Sequence, residues 1–243
     1  MSPTQYAWEA LSNTMRLYAE SSVRFHFLMQ TDQEEAIANL DRAFEAKLES
    51  FHRLYDLTKN LPGFDYFNHA DTSLMIVLRN ALHHRDHTLF TSWNRMMILE
   101  GGVSGKAGAT YLIGGYERQY ELTSRYPLPL QDFYQRLSHS SIRKPDTLRK
   151  LWSDDLSFEQ IADHAKREGY PPNQVYVDVL PVFCSALKRV TSWMQTSEVA
   201  PVGFDSATYV THFSRALELD LRVPAFKVVR IPLFLADIQA PDN

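Results

Sequence analysis

The sequence predicts an all-α protein, an antiparallel helical bundle with a helical C-terminal extension. Three observations predict it. Apolar residues recur at three- and four-residue steps through long segments, good caps and Gly/Pro breakers bracket those segments, and no long polar linker divides the 243 residues. The first segment carries Trp8, Leu11, Met15, Tyr18, Phe25 and Met29, one apolar stripe on a helix of about 24 residues. Thr31 and Asp32 are caps for a second helix, with Glu34 and Glu35 in its first turn and Ile37, Leu40, Phe44, Leu48, Phe51 and Tyr55 as its stripe. Asn60-Leu61-Pro62-Gly63 stops it. A third helix is expected from an Asp71 cap to about Leu99, ended by Gly101 and Gly102.

Beyond Gly101 the glycines thin the pattern. Tyr111 to Tyr126 reads as a helix broken by Pro127 and Pro129, and a short helix starts at Leu156-Ser157-Phe158-Glu159. Asn173 caps a helix striped by Tyr176, Val179, Leu180, Phe183, Leu187, Val190 and Trp193, and Asp205 to Asp220 forms another. Val223 to Ile231 is β-branched and proline-flanked, an extended tail or an edge strand. The division that follows is a helical bundle over residues 1–125 and a helical region over 126–243 packed on it.

Composition bounds the function. With 25 basic and 29 acidic residues the formal charge is −4, which opposes broad non-specific nucleic-acid binding and leaves room for a local basic cleft. The single cysteine, Cys184, has no partner for an internal disulfide. No secretory leader and no run of 18 apolar residues is read, so a cytoplasmic chain without a membrane span is expected.

The chemistry concentrates in Leu78-Arg79-Asn80-Ala81-Leu82-His83-His84-Arg85-Asp86-His87. Cleavage of RNA by its own 2′-hydroxyl needs a group that moves protons near neutral pH, which histidine supplies. It also needs a fixed cation for the charge building on phosphorus, which arginine supplies as a planar fork. Asn80 can hold a phosphate or orient a histidine, and no metal or cofactor is required. On an undistorted helix, positions 79 and 83 lie about 40° apart and 79 and 84 about 140° apart. Arg79 and His84 therefore act together where the helix is bent or where two copies of the chain meet.

Arg79-Asn80-x-x-x-His84 resembles the R-x(4–6)-H motif of the HEPN superfamily. The resemblance implies an all-α, metal-independent endoribonuclease that dimerises over its motifs. It implies Arg79 and His84 as catalytic residues, Asn80 in support, and a 2′,3′-cyclic phosphate product. It also implies a prokaryotic defence or toxin–antitoxin setting, with an antitoxin or another defence-system protein as partner. Asp86 stands where some family toxins carry a modified tyrosine, and only two long helices precede the motif. RNA-guiding roles fall to Arg85 and, in a loose basic cluster, to Arg143 and Lys144.

Two other readings stand beside this one. The motif can be a surface of a non-catalytic helical interaction or dimerisation protein, its charges paired with carboxylates. Alternatively His83 and His87, at i and i+4, can chelate a metal in a metal-dependent hydrolase. Gly101-Gly102-Val103-Ser104-Gly105-Lys106-Ala107 falls one residue short of a phosphate loop and lacks its hydroxyl.

Overall fold

A computed structural model describes residues 1–83, 89–116, 124–214 and 219–233. The chain is mostly helical. α1 (Pro3–Met29) and α2 (Gln33–Thr58) form a long helical hairpin. Ser2 and Gln5 close a capping box on α1 that the sequence reading does not include, and Asp32, a cap it does include, accepts from the Glu35 amide at the start of α2. The α2 stripe is deeply buried at Ile37, Leu40, Phe44, Leu48 and Phe51. The helix ends at Thr58, just before the Asn60–Gly63 breaker.

α3 (Ala70–His83) is the central element, packed against α2, α5 (Pro145–Leu156) and α7 (Leu180–Thr196). Ten of its residues, including every one from Ala70 to Leu78, are buried. Its N-terminus is tied down by Asp71, which accepts from Ser185 Oγ at 2.7 Å and Arg189 Nε at 3.1 Å. Ser73 Oγ accepts from the Trp152 indole at 3.0 Å. Only the last turn reaches solvent, and it brings Arg79, Asn80, Leu82 and His83 with it. The expected continuation to Leu99 is not found. Phe90 takes a left-handed backbone conformation (φ 64°) incompatible with helix, and a separate π-turn follows at Arg95–Leu99.

The all-α expectation gives way to a mostly helical chain with a small mixed sheet of order β2-β3-β1-β4. β1 (Thr110–Tyr116) runs parallel to β3 (Val175–Asp178) and antiparallel to β4 (Pro224–Arg230), and β2 (Pro127–Pro129) pairs antiparallel with β3. Two helix expectations fall here, Tyr111–Tyr126 and the first turn of the Asn173 segment. The physical reason is burial on both faces. Tyr111 and Ile113 pack with Tyr176, Met97 and Ile231 on one side, while Leu112 joins the main core on the other. A helix cannot alternate Tyr111 and Leu112 between two cores; a strand does so by its two-residue period. Gly114 brings the sheet close to α6 (Phe158–Arg167), where a Cβ would stand 2.8 Å from Ile161. β4 confirms the edge-strand alternative for 223–231.

α4 (Leu130–Leu137), α5 and α6 follow β2, and α8 (Phe204–Ser214) lies on α1. One buried cluster draws on α1 to α7 and on β1, β2 and β3. No helix of the described residues is long and apolar enough to cross a membrane.

Candidate functional site

The emergent turn of α3 faces a row of carboxylates on α2. Asp41, Glu45 and Glu49 follow one another at four-residue steps, beside the buried stripe Leu40, Phe44 and Leu48. Glu49 binds the α3 turn. Its Oε2 accepts from Arg79 at 2.7 Å and 3.0 Å, and its Oε1 lies 3.2 Å from His83 Nδ1. Arg79 also donates to Asn80 Oδ1 at 3.2 Å, so all three guanidinium nitrogens are engaged. Its side chain is 16% exposed, against 55% for His83. Arg79 and His83, four apart, share the face that helix geometry assigns them.

Arg79, His83 and Glu49 line a cavity of 440 Å³ with Arg42, Glu45, Leu48 and Leu82. A second cavity of 390 Å³ shares Arg42, Glu45 and Leu82 with it, so the two form one groove. The second runs on to Asp41, Arg95 and Tyr126. Asp41 accepts from the Tyr126 hydroxyl at 2.8 Å and from Arg95 Nε at 3.1 Å. Tyr126 stacks on Phe44 with centroids 3.7 Å apart, and burial holds its hydroxyl protonated, well above the ordinary tyrosine pKa. Phe90 closes the wall, its amide bonded at 2.6 Å to the buried Asp132 carboxylate, which burial pushes up in pKa.

Glu45 stands between the two anchored carboxylates. Among the described residues it makes no hydrogen bond. Partial desolvation, then the neighbouring Asp41, raises its pKa, while Arg95 and Arg42 oppose the shift. His52, one turn beyond Glu49, is driven the other way: burial and then the Arg79 charge disfavour its protonation.

Of the residues singled out in the sequence, Arg79 lines this groove, while Asn80 accepts a hydrogen bond from Arg79 and lines neither cavity. Arg143 and Lys144 are exposed in the connection between α4 and α5 and line neither cavity. Lys144 has a left-handed backbone (φ 52°) and precedes Pro145 at the start of α5. His84, Arg85 and His87 lie outside the described residues. Among those described, no group of three or more His, Cys, Asp or Glu side chains is gathered that could hold a metal ion. Glu49, Glu45, Asp41, Arg95 and Tyr126 were not singled out. The four-residue spacing of the α2 carboxylates was the signal that could have found three of them. No family model, curated protein or solved structure matches this chain.

Proposed function

We propose that this chain is a metal-independent endoribonuclease of HEPN type. In this reading α1 to α3 supply the helical bundle, and two copies meet over the Arg79–His84 segment. The supporting observation is that the guanidinium of Arg79 and the imidazole of His83, on the last turn of an otherwise buried helix, meet the Glu49 carboxylate of α2 on one 440 Å³ cavity. Leu82 and Leu89, which bracket the segment carrying His84 in the chain, both line the adjoining cavity.

The reaction is an in-line displacement at phosphorus. His84 takes the proton of the ribose 2′-hydroxyl, the 2′-oxygen bonds to phosphorus, and the bond to the 5′-oxygen breaks as that oxygen gains a proton. The products are a 2′,3′-cyclic phosphate and a 5′-hydroxyl. Arg79 neutralises the phosphorane oxygens and Asn80 positions the phosphate. Glu49 holds Arg79 in place, and the phosphate takes over its share of the guanidinium when RNA binds. Arg85, Arg143 and Lys144 guide the strand, and the setting is a cytoplasmic defence or toxin–antitoxin system with a cognate protein partner.

The test is incubation of the purified protein with mixed RNA, with and without EDTA, beside Arg79→Ala and His84→Ala. Cleavage that survives EDTA and vanishes in both variants is the expected result; cleavage unchanged in His84→Ala overturns the mechanism. A second reading, a non-catalytic interaction protein, is favoured by the engagement of all three Arg79 nitrogens. It predicts no cleavage by any variant, with the oligomeric state altered by Arg79→Ala.

A further inference from the structure

The 390 Å³ cavity beside Arg79 has a composition of its own. Its apolar lining is Ala38, Ala81, Leu82, Leu89, Phe90 and Leu128, and its charged lining is Asp41, Arg42, Glu45 and Arg95. Arg95 spends Nε on Asp41, and among the described residues its two terminal nitrogens make no hydrogen bond. The cavity thus offers apolar surface, an acceptor-only group and planar donors, at a volume that suits a small ligand. Its walls are fixed in advance. Phe90 is held in a left-handed conformation by Asp132, and Tyr126 ties Asp41 to the sheet side.

We propose that this cavity is a base-recognition subsite for guanine, an inference that rests on the RNA reading of the adjoining groove. Guanine presents two adjacent donors, N1–H and the 2-amino group, to a carboxylate that can accept both. On its other edge O6 and N7 accept from an arginine fork. Adenine offers no such donor pair beside an acceptor edge, and uracil has a single imide N–H. The apolar surface takes the face of the ring, as single-stranded RNA is read when a base is splayed from the strand. Glu45 must be ionised to accept both bonds. The groups facing it are Asp41, Arg42 and Glu49 on its own helix and Arg95 on the π-turn. Because its pKa is raised, the guanine preference is lost on acidification before ordinary carboxylates titrate.

The test measures anisotropy of labelled oligoribonucleotides made uncleavable by a 2′-fluoro substitution at each position. One guanine is replaced in turn by inosine, adenine or uracil, with free guanosine monophosphate as a separate arm. Loss of the 2-amino group in inosine weakens binding by about tenfold in the wild type, as expected for one partner of a bidentate pair. Glu45→Gln, checked as folded by its melting curve, removes that discrimination. Guanine preference in oligonucleotides with weak binding of the mononucleotide identifies RNA as the source. Mononucleotide binding as tight as that of the oligonucleotide identifies a free guanine nucleotide. Equal affinity for guanine and inosine in the wild type, or discrimination retained in Glu45→Gln, overturns the proposal. Cleavage is scored separately. Guanine discrimination without cleavage leaves the subsite and removes the nuclease, and EDTA-resistant cleavage without discrimination does the reverse.

Discussion

Glu45 and Lys47 sit two residues apart on α2 and meet opposite surroundings. Glu45 faces the groove, exposed and flanked by charges of both signs. Lys47 points into the core with no exposed surface. Its Nζ lies 3.5 Å from the Tyr18 ring centroid, 4.5 Å from Phe44 and 4.6 Å from Phe183. Among the described residues it finds no hydrogen-bond partner. The three ring faces favour an ammonium, but burial outweighs them and pushes the amine down to about 7. A charged residue on one helix is therefore read by its face: two positions turn it from a groove-facing group into a core group held by aromatic contacts.

Reversing each charge separates the two faces most sharply. Lys47→Glu places a carboxylate against three electron-rich ring faces and is expected to cost about 3 kcal/mol or more in urea unfolding. Glu45→Lys is expected to change stability by no more than about 0.5 kcal/mol. Equal effects on stability would erase the distinction.

Two substitutions of intermediate effect follow. Gly114→Ala forces a Cβ against Ile161 and is expected to destabilise by roughly 1–3 kcal/mol, because Ile161 is fully buried and cannot retreat. Lys47→Met keeps the volume and removes the unpartnered amine, with an expected gain of about 1–3 kcal/mol. It also changes the pH dependence. The folded pKa of Lys47 is lowered from 10.5 to about 7, so between these values the unfolded chain binds the extra proton and stability rises with pH. Below about 7 both states are protonated and this contribution is flat. Urea titrations across pH 7 to 10 are expected to show the rise in the wild type and its absence in Lys47→Met.

The smallest effect is expected at the groove. Glu49→Gln weakens a half-exposed ion pair with Arg79 and is expected to cost less than about 1 kcal/mol. A larger loss would make the Glu49–Arg79 pair a structural clamp and favour the interaction-protein reading.

The hairpin was legible because each helix carries one unbroken stripe and its own cap. The sheet was not. Tyr176 and Val179 stand three apart and imitate a helical step, while Val175 to Val177 alternates between two cores that only the fold creates. The two prolines of β2 read as breakers and instead mark an edge strand. At the site, Arg79 and Asn80 were read from their adjacent positions, whereas His83 entered the sequence reading only as a metal ligand with His87. Glu49 lies 30 residues from Arg79, and Arg95 lies 54 from Asp41, so their pairing follows from packing that local spacing does not encode.

The proposal that the Arg79–His84 segment cleaves RNA through the 2′-hydroxyl is tested most directly by the chemistry of the cut ends. RNA treated with the wild-type protein in EDTA is expected to carry 2′,3′-cyclic phosphate and 5′-hydroxyl ends, with neither produced by His84→Ala. Ends bearing a 3′-hydroxyl and a 5′-phosphate, or cyclic phosphate formed undiminished by His84→Ala, would contradict it.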